Sequence, residues 1–386
     1  MPKRILIFST AYLPFIGGAE IAVKEITDRL SGEYEFDLIT ARLDGSLPKV
    51  EKIGEVTVYR IGIGVPILDK LAVPFLGAIK ALFLHKRRSY KAFWAIMATF
   101  ASGAGYLANS LRKAFGRKKI PMILTLQEGD SEEHLTYNRG GLISISWYLA
   151  LKRTDTLTAI SNYLLKRAKG MGFVGRSFLI PNGVNVKYFQ LPTPDIEQIE
   201  LRKELGMRDS DVLLITTSRL TKKNSVEDII KSLQYLPSNV KFLILGVGEE
   251  EASLKRLAKD AELEERVRFL GLVRHADIPK YLNACDIFVR PSLSEGMGNS
   301  FIEAMASGIP VIATPVGGIT DFLKDGVTGL FCEVKNPESI AKKVKEYLEN
   351  PALREQIIIN AKKMVMEKYD WDMVASDMKN KVFSML

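Results

Sequence analysis

The sequence predicts an α/β protein with two doubly wound, Rossmann-like domains. Its 386 residues are enough for two or three domains. Short apolar, β-rich runs alternate with helix-length segments from end to end. Strands that are apolar throughout are typical of parallel sheets covered by helices on both faces. One such series in each half of the chain predicts two domains of this kind, facing each other across a cleft.

Predicted elements follow from these runs. The first-half strands are predicted at Ile5–Thr10, Phe36–Thr40, Val56–Ile61, Phe93–Ala98, Met122–Leu126, Thr156–Ile160 and Phe178–Ile180. Helices are predicted at Ala19–Leu30, Val73–Arg88, Ala104–Phe115, Leu142–Lys152 and Asn162–Met171. The second-half strands are predicted at Val212–Thr217, Lys241–Gly246, Val267–Leu272, Ile287–Arg290, Pro310–Ala313 and Leu330–Val334. The pattern breaks in Pro181–Pro194, which predicts the domain boundary.

Composition narrows the class of protein. Hydrophobic residues make up 47% and charged residues 26% of the chain, which excludes disorder as its main state. The two cysteines, Cys285 and Cys332, have no CxxC or zinc spacing. This argues against a disulfide scaffold and is compatible with a cytoplasmic location.

Positive charge is concentrated in the first half. Residues 1–190 hold 27 Lys and Arg against 15 Asp and Glu, a net charge of +12, whereas residues 191–386 have a net charge of −3. Residues 70–119 alone hold 11 basic and no acidic residues. An anionic surface partner is therefore expected for one domain only.

Two segments superficially resemble targeting or membrane sequences. Met1–Glu20 could be a secretory signal, but Pro14 interrupts its apolar run, which favours a buried first strand. Ala92–Leu111 has no charge over its length, yet its central Ser102, Gly103 and Gly105 favour a strand, a turn and a helix over a lipid-facing span.

Three short motifs follow predicted strands, and each has a purely structural alternative. Gly17 and Gly18 precede a helix and allow close approach of a ligand, or form a simple turn. The cations of Arg219–Lys223 suit a diphosphate, or lie on a solvated turn. Gly246 and Gly248 suit a phosphate or sugar loop, or a tight turn.

The most specific motif spans Pro291–Val311. A strand is followed by a loop rich in Gly and Ser and by a helix expected to begin near Asn299. Loop amides and the helix N-terminus can bind phosphate, and Glu295 and Glu303 can accept hydrogen bonds from sugar hydroxyls.

These motifs, in this order, resemble the family 4 retaining glycosyltransferases of the GT-B fold. The resemblance rests on Glu295-x7-Glu303, the following Ala-Met-Ala-Ser-Gly-Ile-Pro-Val and Gly317-Gly318. It extends over nearly the whole chain, through Pro-x-x-Gly-Gly-x-Glu near the start, Ile180–Asn185 and Tyr369-Asp370-Trp371. It implies an acceptor-binding domain of residues 1–185, joined by a C-terminal helix of 371–386, and a nucleotide-sugar-binding domain of 186–370.

The resemblance also implies roles for individual residues. Arg219 and Lys223 would hold the donor diphosphate, and Glu303 would bind the ribose. Glu295, with the amides of Gly296, Met297 and Gly298, would hold the donor sugar and the distal phosphate. Gly17 and Gly18 would close over the diphosphate. The main chain near Leu272 and Val273 would touch the base, and Gly248 belongs to the nucleotide-binding set.

This chain departs from the family pattern at two places. The family has a Lys five residues after the Arg, where this chain has Asn224, so the role is assigned to Lys223. The family also has a His after the fifth strand of the first domain. Glu128 is the prediction for that position, contacting donor sugar or acceptor, with Gln127 and His134 as alternatives.

The expected mechanism retains the anomeric configuration. The leaving phosphate oxygen takes the acceptor proton, and fixed cations and amides stabilise the growing negative charge. No metal or cofactor is expected beyond the nucleotide-sugar donor. The acceptor class includes glycans, glycolipids and other lipid-linked or cell-envelope molecules. The alternatives are a GT-B epimerase or phosphorylase, and a basic nucleic-acid-binding protein, although nucleic acid is not the expected partner.

The helix predicted at Val73–Arg88 also suggests an anionic membrane partner at the cytoplasmic face. It places Phe75, Leu76, Ile79, Leu82 and Phe83 beside Lys80, Lys86, Arg87, Arg88 and Lys91. Such a helix suits a membrane interface, or its apolar residues belong to the core. Pro74 and Gly77 are expected in its first turn.

Overall fold

The computed structural model describes residues 2–130, 135, 142–190 and 194–386. His134, an alternative for the family's histidine, lies outside these ranges. The chain divides into two compact units. One contains Met1–Asn182 and Trp371–Leu386, and the other contains Gly183–Asp370.

The first unit is built on an eight-stranded sheet. Its strands are β1 Lys3–Phe8, β2 Tyr34–Ala41, β3 Val50–Ile53, β4 Val56–Ile61, β5 Ala92–Ile96, β6 Met122–Leu126, β7 Thr156–Ala159 and β8 Arg176–Leu179. Their order is β3-β4-β2-β1-β5-β6-β7-β8. Among the described strands of this sheet, only β3 runs antiparallel to its neighbour. No strand is predicted from the sequence at Val50–Ile53. The helices are α1 Gly18–Leu30, α2 Pro66–Arg88, α3 Ala101–Ala114, α4 Leu142–Arg153 and α5 Asn162–Gly170.

The second unit is a six-stranded, fully parallel doubly wound sheet. Its strands are β9 Val212–Thr217, β10 Val240–Leu245, β11 Val267–Gly271, β12 Ile287–Arg290, β13 Val311–Ala313 and β14 Leu330–Phe331. Their order, β11-β10-β9-β12-β13-β14, is the nucleotide-binding order of doubly wound folds, with its reversal between β9 and β12. Its helices are α6 Val186–Phe189, α7 Asp195–Glu204, α8 Val226–Ser232, α9 Glu251–Asp260, α10 Ile278–Asn283, α11 Asn299–Ser307, α12 Ile319–Phe322, α13 Pro337–Glu349 and α14 Pro351–Lys368.

The last helix, α15 (Trp371–Lys381), packs in the first unit although it follows the second in sequence. Trp371, Met378 and the subsequent Phe383 belong to the same buried cluster as β1 and α1. The Phe383 ring lies 5.4 Å from that of Trp94 on β5. Buried aromatic contacts of this kind tie the C-terminal segment to the first sheet.

The strands confirm the sequence-based expectation of two-sided burial. All four residues Ile5–Phe8 of β1 are fully buried, and so are Phe242–Ile244 of β10. The uncharged segment Ala92–Leu111 forms β5, a loop and most of α3, as predicted. Among the described residues, no helix combines the length and apolarity that a membrane crossing requires.

Helix α2 begins earlier than predicted, at Pro66 instead of Val73. Pro74 and Gly77 therefore lie inside the helix, and the prediction that they occupy its first turn is wrong. Their small or flat surfaces allow α3 to approach closely. A Cβ on Gly103 of α3 would lie only 2.9 Å from Pro74 Cβ, and one on Gly77 would lie 3.0 Å from Ala104 Cβ. Close helix packing explains the two helix-breaking residues better than a helix start does.

Candidate active site

Two loops of the second unit meet where the strand order reverses. The loop after β9 contains Arg219, Lys223 and Asn224, and the loop after β12 begins at Pro291. The amide of Leu293 donates a 2.7 Å hydrogen bond to the carbonyl of Lys223, which joins the loops directly. Ligands of doubly wound sheets bind at the carboxyl ends of the strands at such a reversal. We therefore take this point as the candidate site.

Arg219 is a solvent-exposed, positively charged residue of the site. Its side chain is exposed, and within the described ranges it forms no ion pair. The loop below it is fixed by Asn224, whose buried Nδ2 donates a 2.6 Å hydrogen bond to the Arg219 carbonyl. Lys223, the predicted second cation, is half-buried in the same loop. Arg219 and Lys223 thus lie close in the chain on one strand-end loop, as the sequence predicts.

Gly248 lies in the adjacent loop after β10. A Cβ at this position would come within 2.2 Å of the Leu220 carbonyl oxygen, so only glycine fits against the Arg219 loop. The two loops are also joined by a 3.0 Å bond from the Leu220 amide to the Val247 carbonyl. Packing between loops therefore accounts for this glycine without invoking a ligand.

Glu295 is buried, with 8% of its surface exposed, and forms an ion pair with Arg290 at the end of β12. Its Oε1 also accepts a 3.1 Å hydrogen bond from the Gly296 amide. Met297 is buried, and Gly298 adopts a left-handed conformation (φ 85°) immediately before α11. The four residues therefore form one compact turn that leads into the N-terminus of α11.

The turn is held from the other side by the glycines after β13. The Gly318 amide donates a 3.0 Å hydrogen bond to the Glu295 carbonyl. Gly317 has φ 54°, and a Cβ there would lie 1.9 Å from the same carbonyl oxygen. A larger residue at position 317 would therefore push the Glu295 turn out of place.

Glu303 lies on α11 and forms a hydrogen bond with His275, at 2.8 Å from its Nε2. The carboxylate side chain is 13% exposed and the imidazole 46%. His275 follows β11, two residues after the half-buried Val273. The pair thus brings the predicted ribose-binding acid next to the segment predicted to touch the base.

Among the described residues, several buried polar atoms without hydrogen-bond partners lie at the ends of β9 and β12 and in the loops that follow them. They include the hydroxyls of Thr216 and Ser292 and the Nε atom of Arg290. The hydroxyls of Thr217, Ser218 and Thr221 are also without partners. Such atoms are costly when nothing satisfies them, so this cluster fits a site that a polar ligand or water fills.

In the first unit, Gly17 and Gly18 begin α1 just beyond the carboxyl end of β1. Gly17 is the N-cap residue, and the exposed Gly18 is the first helical residue. The Gly17 carbonyl accepts a 3.1 Å hydrogen bond from the Ile21 amide. The glycines thus lie at a strand end near the reversal between β1 and β5, where the sequence predicts them.

Glu128 follows β6 and points into the first unit. It is 6% exposed, and its carboxylate accepts hydrogen bonds from the amides of Ala98 (2.6 Å) and Gln127 (2.9 Å). Burial raises its pKa to about 7, against the opposite effect of the amides. Ala98 follows Met97, a non-glycine residue at φ 67°. This geometry suits a carboxylate that fixes the loop after β5, and its predicted contact with sugar or acceptor stays a prediction.

Sequence reasoning missed Arg290, His275 and Ser300 as members of the site. Arg290 is the strongest case, because a charged residue ends the otherwise apolar run Ile287–Val289 and is nevertheless buried. Within the described residues, no three His, Cys, Asp or Glu side chains lie close enough together to hold a metal ion.

Known proteins resemble this chain in sequence and fold. Residues 197–364 match the family model described as Glycosyl transferases group 1. An uncharacterized glycosyltransferase of Methanocaldococcus jannaschii is 34% identical over 52% of this chain and 52% of its own length. A GDP-mannose-dependent monoacylated α-(1-6)-phosphatidylinositol monomannoside mannosyltransferase of Corynebacterium glutamicum is 31% identical over 58% of this chain and 61% of its own. The matches thus span between half and two thirds of these relatives.

The solved structure of HepE from Anabaena, in complex with UDP and glucose, covers 100% of both chains with a TM-score of 0.80 and 21% identity. This likeness shows a shared fold and confirms the predicted GT-B class. The matches give no support to the epimerase, phosphorylase or nucleic-acid-binding alternatives. Residues 197–364 of the second unit therefore resemble the glycosyl transferases group 1 family in sequence, and the whole chain resembles HepE in fold.

Proposed function

We propose that the protein moves a sugar from a nucleotide diphosphate sugar to an acceptor hydroxyl, with retention of anomeric configuration and without a metal ion. The observation that carries this proposal is the meeting of the β9 and β12 loops. The exposed Arg219 lies on the β9 loop, and buried polar atoms at the ends of these two strands lack hydrogen-bond partners among the described residues. The HepE structure, described as a complex with UDP and glucose, and the GDP-mannose-dependent relative favour this donor class.

In the proposed mechanism, Arg219 and Lys223 bind the donor diphosphate and Glu303 binds the ribose. Glu295 and the amides of Gly296, Met297 and Gly298 bind the donor sugar and the distal phosphate, and the main chain at Val273 contacts the base. As the bond to the sugar breaks, negative charge grows on the leaving phosphate. Cations and amides already fixed in place lower that barrier without reorganising. The leaving phosphate oxygen then takes the proton of the acceptor hydroxyl.

Donor binding and turnover test this proposal. UDP, GDP, ADP and their sugars are added in turn, and thermal unfolding and release of nucleoside diphosphate are measured. A bound ligand at about 100 times its dissociation constant adds about 2.7 kcal/mol to stability. Arg219→Ala is expected to lower turnover about 100-fold, because a charge-assisted contact to the leaving group is lost.

Arg256→Ala is the matched control, since it removes an exposed arginine from α9 of the same unit. Product analysis with a labelled donor separates transfer from epimerisation and phosphorolysis. If no nucleotide stabilises the protein, or if Arg219→Ala turns over like the wild type, the donor site is wrongly assigned.

We also propose that the acceptor is lipid-linked and that the first unit docks on an anionic membrane surface. Support comes from a row of exposed apolar residues on α2, which we call the α2 stripe. The stripe contains Ile67, Leu71, Phe75, Ile79 and Phe83, each between 49% and 74% exposed. These residues, each four apart, follow an inclined ridge on the helix surface, and the stripe extends over about 24 Å of the helix axis.

The stripe is distinct from the residues that α2 buries. Its core side holds Val73, Gly77, Ala78, Ala81 and Leu84. Of the apolar residues named in the sequence, Phe75, Leu76, Ile79 and Phe83 are exposed and Leu82 is half-buried, so the alternative of a core position is wrong for the four exposed residues.

The charges around the stripe are positive. Lys80, Lys86 and Arg87 flank it, and the Arg87 guanidinium lies 4.2 Å from the Phe83 ring centroid. Asp69, the acidic residue of the helix, is buried and accepts hydrogen bonds from the amides of Ile63, Gly64 and Val65. Each basic residue near an anionic bilayer contributes about 1 kcal/mol, and each large apolar side chain that enters it about 1.5–3 kcal/mol.

Sedimentation with vesicles tests the membrane proposal. The protein is expected to pellet with vesicles of phosphatidylglycerol and phosphatidylcholine, to dissociate in high salt, and to stay in solution with phosphatidylcholine alone. Phe75→Asp with Ile79→Asp is expected to abolish pelleting. Ile359→Asp, at a 54% exposed residue of α14 in the second unit, is the control and is expected to pellet normally. Equal recovery of wild type in the supernatant with both lipids would refute the proposal.

A further inference from the structure

We propose that Arg290 is a positioning residue of the donor site, which holds Glu295 in place and fixes its spacing from Arg219. This inference rests on the proposed function and concerns the same site. Arg290 ends β12, is 8% exposed, and lies beneath both loops that form the site.

The guanidinium of Arg290 joins three separate segments. Its Nη1 donates a 2.8 Å hydrogen bond to Ser300 Oγ in the first turn of α11. Its Nη2 donates to Asn224 Oδ1 at 3.0 Å and to the Glu295 carboxylate. The group also lies 5.2 Å from the ring centroid of Phe301. The planar guanidinium group can donate hydrogen bonds to three acceptors that lie around its plane. A lysine ammonium group does not have this planar arrangement of donors.

Asn224 links Arg290 to Arg219 by hydrogen bonds. Its Oδ1 accepts from Arg290, and its Nδ2 donates to the Arg219 carbonyl at 2.6 Å. One chain of hydrogen bonds therefore runs from the Glu295 carboxylate, through Arg290 and Asn224, to the backbone of Arg219. Two groups proposed to bind neighbouring parts of the donor, the diphosphate and the sugar, are thereby held at a fixed spacing.

The contact between Asn224 and Arg290 also places a cation beside the position where the family has lysine. In this chain, position 224 is neutral, and Asn224 accepts a hydrogen bond from Arg290 on the neighbouring strand. Within the described residues, Arg290 Nε is buried without a hydrogen-bond partner, so its N–H group is an unused donor at the site. The bonded donors face protein atoms, and for that reason we assign Arg290 to positioning and not to direct chemistry.

The test moves the positive charge from position 290 to position 224. The turnover of donor sugar and the binding of UDP, GDP and ADP are measured for wild type, Arg290→Met, Asn224→Lys and the double variant. Arg290→Met is expected to lower kcat about 100-fold, since small misplacements of reacting groups have effects of that size. Nucleotide affinity is expected to change by less than about threefold, because the diphosphate contacts remain.

The double variant Asn224→Lys with Arg290→Met returns a cation to Glu295 from the other loop. Its turnover is expected to be about 10-fold higher than that of Arg290→Met. Such non-additivity is typical of residues in direct contact. A merely structural role for Arg290 predicts no such recovery. Arg290→Lys, which keeps the charge, provides a second measurement if the methionine variant unfolds, and it is expected to have intermediate turnover.

Arg202→Met is the control for loss of a half-buried, hydrogen-bonded arginine, since Arg202 donates to the Ala284 carbonyl away from the site. It is expected to keep wild-type kcat. Wild-type kcat in Arg290→Met, or a double variant no better than the single one, would overturn this inference and leave the proposed function intact. A wild-type protein that binds none of the three nucleotides would overturn both.

Discussion

Replacing Glu128 with glutamine gives a pH-dependent change in stability whose sign follows from the structure. The carboxylate is almost fully buried beside the amides of Ala98 and Gln127. Burial raises its pKa from 4.5 to about 7, and the negative charge of Asp130 acts in the same direction. Glutamine has a similar shape but does not ionise, so Glu128→Gln removes the titration of this group.

The sign and size of the effect come from linkage. A carboxyl group whose pKa is higher in the folded than in the unfolded state stabilises the fold below about pH 4.5. That contribution is lost as the pH rises through about 7. The shift from 4.5 to about 7 corresponds to about 3 kcal/mol, an upper value for the wild-type loss between pH 4.5 and pH 8.

The three tryptophans make the measurement selective. Trp94, Trp147 and Trp371 all lie in the first unit, which also contains Glu128. Urea unfolding followed by tryptophan fluorescence at pH 5, 6, 7 and 8 therefore reports on that unit. Wild type is expected to lose stability with rising pH relative to Glu128→Gln. Glu55→Gln, at a surface carboxylate, is the control and should keep the wild-type slope. Parallel pH profiles for wild type and Glu128→Gln would refute the assignment of a titrating buried carboxyl group.

Three further predictions concern the donor site and the helix packing. Glu303→Ala is expected to weaken nucleotide binding about 10- to 100-fold while kcat changes less, as calorimetry and kinetics can check. Donor turnover is expected to survive excess EDTA, whereas complete loss restored by Mg²⁺ or Mn²⁺ would contradict the metal-free mechanism. Gly103→Val is expected to destabilise the first unit by about 1–3 kcal/mol, because Pro74 already fills the space. Gly170→Val, where no atom lies within 4 Å, should cost less, and equal losses would refute the packing argument.

Much of the fold followed from local patterns. The boundaries of Val56–Ile61, Met122–Leu126, Val212–Thr217 and Ile287–Arg290 are as predicted, because each is a short β-rich run followed by a polar residue, glycine or proline. Strand β3 was missed because its four residues alternate between exposed and half-buried, a weak signal at a sheet edge. The start of α2 was missed because Pro74 and Gly77 were expected in the first turn of the helix, whereas the helix begins about two turns earlier, at Pro66.

The candidate site was predicted in part. Arg219 and Lys223 lie where strand-end motifs place them, since the carboxyl ends of neighbouring parallel strands meet at one edge. Gly248 and Gly317 were visible as glycines, but the packing that requires them involves the backbone of other loops. The burial of Glu128 could not be predicted, because it depends on the loop after β5, thirty residues earlier in the chain.

The sequence by itself determined the two doubly wound sheets, the positions of the strand-end motifs and the excess of positive charge in the first half. These depend on residue periodicity, composition and order, which are local properties of the chain. Only the tertiary structure decided that Arg290 is buried and joined to Asn224, Glu295 and Ser300. It alone also decided that the α2 stripe faces outward and that Glu303 is paired with His275. These features depend on contacts between segments far apart in sequence, and such contacts form only when the sheets bring their strand ends and helices together.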